Sequence, residues 1–267
     1  MIEIGPTSCD PAANSYCDRH LMPRRRTSSP EITSFQLPPG RILAGKYEIV
    51  SRLGRGWEGE VYKLRELATD IERAGKFFFP QRNVNDRTSR FYSRKLNKLR
   101  HVPILIQYHT SEFFTYKGQR VTFLVSEFVE GELLSKFLAR QPGRRLSVFQ
   151  GLHLLYAMAS GMEGVHNARE YHGDLHMGNV IIRRLGIGFH IKLLDFYDYG
   201  TAHAHDLHDD VCDLIRIFYD AIGGKQWYSK HPPEVKAICR GLKRSLILRK
   251  YRTAGQLRQY LETMTWL

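Results

Sequence analysis

The sequence predicts an α+β protein with a β-rich first part and a mostly helical second part. Runs of β-prone residues with strand-like alternation occupy residues 46–63, 74–79, 105–114 and 121–128. After Ser147, apolar residues recur at three- and four-residue steps, which is typical of helices packed on a core. Polar residues at fixed offsets follow that helical stretch, over residues 172–179. A functional site is therefore expected directly after this helical stretch.

Length and composition allow one large domain or two small lobes. The chain has 267 residues, of which 42% are hydrophobic and 12% aromatic, enough to build a core. Residues 1–40 are rich in Pro and Ser and lack apolar periodicity. Such sequence cannot bury enough apolar surface to fold alone, so this segment is predicted to be a flexible tail.

The net charge of +13 lies within residues 41–267, because acids and arginines balance in the first 40 residues. A basic surface favours acidic partners such as a nucleotide, a phosphorylated substrate, nucleic acid or an anionic membrane, although a solvated basic face explains it equally well. The most basic stretch, Arg82–Arg100, matches no recognised nucleic-acid motif. There is thus no strong nucleic-acid signal.

The four cysteines form no C-x-x-C pair, which fits a reducing compartment. The N-terminal residues show no secretory signal, and no apolar run has the length of a transmembrane segment. We expect a cytoplasmic protein, while a secreted effector stays open. Nothing in the sequence indicates an oligomeric state.

Three glycines, Gly54, Gly56 and Gly59, lie between two β-prone runs rather than before a helix, so they predict a strand–turn–strand flap. Glycine lets a backbone approach phosphates closely and donate N–H groups to them. Lys76 stands among apolar residues in the next strand, which is costly unless its charge has a partner. The glycine flap and the strand that carries Lys76 are therefore predicted to form a phosphate-binding surface.

Asp174 and Asn179 are five residues apart, and Asp195 ends the apolar strand Lys192–Leu194. A phosphoryl-transfer site needs one carboxylate that handles the acceptor hydroxyl. It also needs an amide and a second carboxylate that hold Mg²⁺. The spacing therefore predicts Mg²⁺-dependent phosphoryl transfer.

The stretch His172–Asn179 and the pair Asp195-Phe196 resemble the H-x-D-x-x-x-x-N and D-F-G motifs of the protein-kinase-like superfamily. The glycine loop, the strand lysine and a hinge-like segment at Ser126–Leu133 precede them in the order found in that superfamily. The resemblance implies a bilobal protein-kinase-like fold. Its small lobe, residues 41–130, would be a five-stranded antiparallel sheet plus one helix, and its larger lobe, residues 131–267, mostly helical.

The resemblance also implies a role for each site residue. Asp174 would be the catalytic base and Lys76 the lysine that holds the α- and β-phosphates of ATP. Asn179 and Asp195 would bind Mg²⁺. The nucleotide-binding residues would be Gly54, Gly56, Gly59, Val61, Ala74, Lys76, Glu127 and Val129.

Several positions depart from ordinary protein kinases. Tyr92 stands where the small-lobe helix usually carries a glutamate, which leaves Lys76 without its usual partner. His176 stands where Ser/Thr kinases have a lysine, and Tyr197 replaces the glycine of D-F-G. The segment 198–210 is short and contains no A-P-E motif.

The first expectation for function is transfer of phosphate to Ser or Thr hydroxyls of a protein substrate. The catalytic loop is also similar to that of aminoglycoside phosphotransferases, so a small-molecule acceptor is the alternative. The missing helix glutamate favours a third hypothesis, a pseudokinase that acts as a binding module. The presence of Lys76, Asp174, Asn179 and Asp195 argues against that third hypothesis.

Overall fold

The structure is a computed structural model that describes residues 30–196 and 201–265. Its small lobe is built on a six-stranded antiparallel sheet with strand order β1-β2-β3-β4-β6-β5. The strands are β1 (Ile42–Leu43), β2 (Tyr47–Arg55), β3 (Gly59–Glu66), β4 (Glu72–Phe78), β5 (Tyr108–Tyr116) and β6 (Gln119–Glu127). Helix α1 (Arg87–Lys98) packs against β5 and β6. The predicted sheet and helix are confirmed, with the short β1 added to the five strands expected.

The larger lobe is mostly helical, as predicted. Its small sheet comprises β7 (Glu132–Leu133), β8 (Val180–Leu185) and β9 (Gly188–Leu193). Its helices are α2 (Leu134–Ala139), α3 (Val148–Asn167), α4 (Ala204–Ala221), α5 (Gly224–Tyr228), α6 (Pro233–Cys239), α7 (Arg244–Lys250) and α8 (Ala254–Thr263). The long α3 packs against α4, α8 and β9 and so forms the centre of this lobe.

Local sequence explains where two of these elements begin and end. Ser147 accepts a hydrogen bond from the Gln150 amide at 3.2 Å, and the Gln150 side chain accepts one from the Ser147 amide at 3.1 Å. These two reciprocal bonds form a capping box at the start of α3. In the β5–β6 hairpin, Lys117 and Gly118 both have positive φ, as a two-residue loop matching the twist of the strands requires.

The outer face of the small-lobe sheet carries an aromatic core. Phe77 and Phe123 stack with ring centroids 4.6 Å apart, and the Tyr62 ring meets Phe77 edge-on at 5.2 Å. All three side chains are at most 1% exposed. Exposure of this apolar face to water would be unfavourable, so another part of the chain is expected to pack on it.

The residues that pack on this face belong to the segment predicted to be a flexible tail. Phe35 is fully buried and packs 5.2 Å from the Phe79 ring, while Ile32 and Leu37 are also buried. The fully buried Glu60 carboxylate accepts hydrogen bonds from the Ser34 hydroxyl at 2.9 Å and the Phe35 amide at 3.2 Å. The predicted tail of residues 1–40 is therefore wrong for residues 31–40. Residues 1–29 lie outside the described residues.

Two further findings concern the larger lobe. A single helix is expected from residue 234 to residue 248, but the chain breaks between α6 and α7, where Arg240 and Leu242 both have positive φ. The described cysteines, Cys212 and Cys239, are free thiols. Among the described helices, none combines the length and the apolar character needed to cross a bilayer.

Candidate active site

Strand register places the predicted nucleotide-binding side chains on one face of the small-lobe sheet. Val61 of β3 pairs with Lys76 of β4, and Ala74 of β4 pairs with Ser126 of β6. Directly opposite residues in antiparallel strands point to the same face, and residues two apart along a strand share a face. Val61, Ala74 and Lys76 therefore lie on the face opposite the aromatic core.

The three glycines form the tip of the β2–β3 hairpin, as predicted. A Cβ atom added at Gly54 or Gly56 would meet no atom within 4 Å, so this side of the loop is open. A Cβ atom at Gly59 would lie 1.8 Å from the carbonyl oxygen of Phe77, so only glycine fits there. The loop thus lies against β4 and leaves an open backbone surface beside it.

The Lys76 ammonium lies between two carboxylates. Nζ donates to Asp195 Oδ1 at 2.8 Å and to Glu58 Oε2 at 2.7 Å, and the side chain is 17% exposed. Burial would lower the pKa of this lysine, but the neighbouring Asp195, Tyr92 and Glu58 outweigh the burial and raise it above its usual value. Lys76 is therefore charged at neutral pH and suited to bind phosphate.

Asp195 follows β9 in a strained conformation, with φ of +49°. Such strain in a residue other than glycine is common at functional sites. Desolvation would raise the pKa of Asp195, but the charge of Lys76 more than offsets this and holds the pKa below its usual value. Asp195 is thus kept as a carboxylate, the form that a metal ion requires.

Asn179 joins the catalytic loop to the strand that carries Asp195. Its carbonyl oxygen accepts a hydrogen bond from the Leu194 amide at 2.8 Å. Its side-chain Nδ2 donates to the backbone oxygen of Asp174 at 2.9 Å and to Asp174 Oδ2 at 3.0 Å. With both amide hydrogens used by Asp174, the amide oxygen is the atom that could hold a cation.

The donor set fits Mg²⁺. No cluster of three His, Cys, Asp or Glu side chains suited to a metal is found among the residues that the structure describes. Asn179 and Asp195 instead offer one amide oxygen and one carboxylate. Mg²⁺ is commonly held by one or two carboxylates and completed by waters and substrate phosphates, so this oxygen-only pair suits it.

Asp174 presents its carboxylate to solvent, where an acceptor could reach it. Its side chain is 49% exposed, and His176 Nε2 lies 3.6 Å from Asp174 Oδ2. The Gly178 amide donates to His176 Nδ1 at 3.0 Å, so the ring proton is assigned to Nε2. His176 therefore offers an N–H group beside Asp174, where Ser/Thr kinases have a lysine.

Two side chains that matter to the site were missed by the sequence analysis. Asp210 of α4 is fully buried and accepts hydrogen bonds from the backbone amides of His172 at 2.8 Å and Gly173 at 3.0 Å. Glu58 of the glycine loop contacts Lys76. The signal for Asp210 was an acid beside an apolar helical stripe, since a fully buried Asp is rare unless it is paired.

The helix α1 also differs from expectation at its start. An acid at the start of a helix commonly caps it, and this predicts a cap for Asp86, but the Asp86 side chain makes no capping bond. It accepts instead from Thr122 at 2.6 Å and from Arg120 at 2.6 Å, which ties the start of α1 to β6. Tyr92, the residue in place of the helix glutamate, does lie beside Lys76, with the ammonium 4.0 Å from the ring centroid.

The predicted adenine contacts, Glu127 and Val129, lie at the end of β6 and in the segment that leads to β7. The Glu127 amide donates to the Gln107 carbonyl at 2.9 Å. The Glu127 carboxylate accepts from the buried Lys192 at 2.5 Å. The backbone oxygen of Glu127 is therefore the group that an adenine amine could use.

The segment after Asp195 is short. Phe196 packs against the His172 ring at 4.8 Å, and α4 already begins at Ala204. Residues 197–203 connect the two, so helix α4 begins within the segment 198–210 that the sequence marks as short. Tyr197 lies outside the described residues.

The fold and this site define a protein kinase domain. A family model described as the protein kinase domain matches residues 47–235, which is more than half of the chain. The chain therefore belongs to the protein kinase family.

The relatives that it matches are protein kinases by name. It is 29% identical over 170 residues to a probable serine/threonine-protein kinase of Streptomyces coelicolor, covering 61% of this chain and 24% of that protein. It is 31% identical over 165 residues to death-associated protein kinase 2 of Homo sapiens, covering 59% of this chain and 42% of that protein. The chain thus matches less than half the length of each.

Solved structures support the fold. A crystal structure of a double mutant of the Mycobacterium tuberculosis PknI kinase domain aligns with a TM-score of 0.60 at 20% identity. The alignment covers 85% of this chain and 97% of the PknI chain. At this level of identity the likeness establishes the fold alone.

Proposed function

We propose that this chain is an ATP- and Mg²⁺-dependent kinase that transfers the γ-phosphate to Ser or Thr hydroxyls of a protein. One observation carries the proposal. Lys76 pairs with Asp195 at 2.8 Å, and Asn179 bonds Asp174 at 3.0 Å while its backbone accepts from the residue before Asp195. These hydrogen bonds link into one site the four polar groups that phosphoryl transfer needs.

Each residue has a distinct role in this proposal. Lys76 binds nucleotide phosphates, the open loop at Gly54 and Gly56 accommodates them, and Asn179 and Asp195 hold Mg²⁺. Mg²⁺ supplies charge neutralisation on the phosphates. In the transfer, the bond from the γ-phosphorus to the oxygen of ADP breaks, a bond to the acceptor hydroxyl forms, and the hydroxyl proton passes to Asp174.

The relatives support a protein acceptor over a small molecule, because two of those that match are serine/threonine-protein kinases by name. Residues 197–203 are too few to form the usual peptide-docking segment, so the acceptor must be recognised elsewhere on the larger lobe. The complete set of Lys76, Asp174, Asn179 and Asp195 supports an enzyme over a pseudokinase.

We further propose that the lobes divide near residue 130, as predicted, with residues 31–40 added to the small lobe. A cytoplasmic location for this protein agrees with the free thiols of Cys212 and Cys239, since disulfides are rare in reducing compartments.

The test is incubation of the protein with γ-labelled ATP and Mg²⁺, with a generic protein acceptor in one arm and an aminoglycoside in the other. We expect label in phosphoserine or phosphothreonine of the protein, abolished by EDTA. Label only in the aminoglycoside would contradict the protein acceptor. ATP binding without label in either arm would contradict the proposed activity.

A further inference from the structure

The chain lacks the helix glutamate that ordinarily pairs with the strand lysine of kinases, yet Lys76 has a second carboxylate beside it. That carboxylate belongs to Glu58, in the glycine loop, with Oε2 2.7 Å from Lys76 Nζ. The helix position holds Tyr92, whose hydroxyl donates to the same Glu58 oxygen at 2.9 Å. Glu58 therefore bridges the lysine and the helix.

The backbone at the Glu58 carbonyl and at the following residue is held against the end of β4. The Phe79 amide donates to the Glu58 carbonyl at 2.9 Å. The next residue, Gly59, lies so close to the Phe77 carbonyl that no side chain would fit. These backbone contacts hold the loop tip at a position from which the Glu58 side chain reaches Lys76.

Tyr92 adds two interactions to this cluster. Its ring lies under the Lys76 ammonium at 4.0 Å, a cation–π contact, and it is only 6% exposed. Its hydroxyl orients the Glu58 carboxylate. A carboxylate at position 92 would contact Lys76 directly. Tyr92 fills that space instead, and its hydroxyl binds the loop carboxylate that contacts Lys76.

We propose that Glu58 is the positioning residue that holds Lys76 for the nucleotide phosphates, in place of a glutamate from helix α1. This inference rests on the proposed kinase function and deepens it. It makes the lysine's orientation depend on the glycine loop, with Tyr92 linking helix α1 to that loop. In this arrangement, packing of the glycine loop on β4 and orientation of Lys76 occur together.

The test compares Glu58→Gln, Tyr92→Phe and the double variant Glu58→Gln/Tyr92→Glu, which moves the carboxylate back to the helix. The matched control is Glu72→Gln, which breaks the exposed Lys63–Glu72 ion pair on the same sheet. Four quantities are measured: the Kd of Mg²⁺-ATP by calorimetry, the KM for ATP, kcat, and the melting temperature.

We expect Glu58→Gln to weaken ATP binding and raise the KM for ATP at least about 10-fold, the loss of roughly one charge-assisted contact. Tyr92→Phe should have a smaller effect, and the double variant should recover most of the lost affinity. Glu72→Gln should leave ATP binding unchanged. The melting temperature of Glu58→Gln should stay close to that of the wild type, because glutamine keeps the shape of the side chain.

Equal or tighter ATP binding by Glu58→Gln would overturn the inference, and tighter binding would mean that Glu58 competes with phosphate. No recovery in a folded double variant would also overturn it. If the wild type binds and transfers phosphate while Glu58→Gln does the same, the inference alone fails. If the wild type binds no ATP, the proposed function fails and this assignment fails with it.

Discussion

The Asp210 carboxylate accepts a hydrogen bond from the backbone amide of His172, with 2.8 Å between Oδ2 and the nitrogen. Its other oxygen accepts from the next amide, at Gly173. A residue of helix α4 therefore fixes the backbone immediately before Asp174. Since α4 packs on α3 in the core of the larger lobe, this contact ties the catalytic loop to that core.

Asp210→Ala should reduce phosphoryl transfer by at least about 100-fold, because a small displacement of catalytic groups has costs of that size. It should also lower the free energy of unfolding by about 1–3 kcal/mol for each amide left without an acceptor. Kinetic assays and urea unfolding measure the two effects. The control is Asp209→Ala, which removes an exposed ion pair with Arg244 and should change little. Wild-type activity in Asp210→Ala would contradict the role assigned to it.

His176→Ala should slow phosphoryl transfer at least about 10-fold and leave the Kd of ATP unchanged. The reason is that Nε2–H lies beside the Asp174 carboxylate and would serve the transferring group rather than the nucleotide base. His176→Lys, which keeps a donor, should retain more activity than His176→Ala. His190→Ala, on the exposed side of β9, is the control. Equal rates for all four proteins would show that His176 takes no part.

Phe35→Ala should lower the free energy of unfolding by about 3–5 kcal/mol, as expected for truncation of a buried aromatic side chain. Phe35 covers the aromatic face of the small-lobe sheet and is fully buried. Phe149→Ala, at a side chain that is 60% exposed, should cost far less. Equilibrium unfolding in urea compares them. Similar losses for the two variants would contradict the packing of residues 31–37 on the sheet.

Asp213 predicts a pH dependence of stability. Burial and the nearby Asp210, Asp209 and Asp174 carboxylates raise its pKa to about 7. In the folded protein Asp213 keeps its proton up to that pH, whereas in the unfolded chain it loses it near pH 4. The folded state therefore binds more protons between these values, so its contribution to stability falls as the pH rises from about 4 to about 7.

Asp213→Asn removes this loss. The difference in melting temperature between Asp213→Asn and the wild type should shift in favour of the variant between pH 4 and pH 7 and level off above about pH 8. Calorimetric scans across this pH range measure it. The control is Asp70→Asn at an exposed turn, whose difference from wild type should stay flat over the same range. A flat difference for Asp213→Asn would show that Asp213 ionises normally.

The predicted site residues that the structure brings together are those with fixed offsets in the sequence. Lys76, Asp174, Asn179 and Asp195 are recognisable because local spacing determines where they stand on a strand or loop. The register of β3, β4 and β6 then follows from alternation, which places Val61 and Ala74 on the same face as Lys76.

The residues that sequence analysis misses depend on contacts between distant segments. Glu58 looks like any polar residue in a turn, and its place beside Lys76 follows only from the packing of Gly59 on β4. Phe35 stands in a Pro- and Ser-rich stretch without apolar periodicity, and its burial comes from a sheet face formed later in the chain. Neither outcome has a local signal.

The most direct test of the central claim separates nucleotide binding from transfer in Asp174→Asn. The measurement is the Kd of Mg²⁺-ATP together with the single-turnover rate of label transfer to a protein hydroxyl, for the variant and the wild type. The kinase account predicts an ATP affinity close to wild type and a transfer rate lower by at least about 100-fold, because Asp174 serves the acceptor. Transfer at the wild-type rate, or loss of ATP binding with the fold intact, would contradict it.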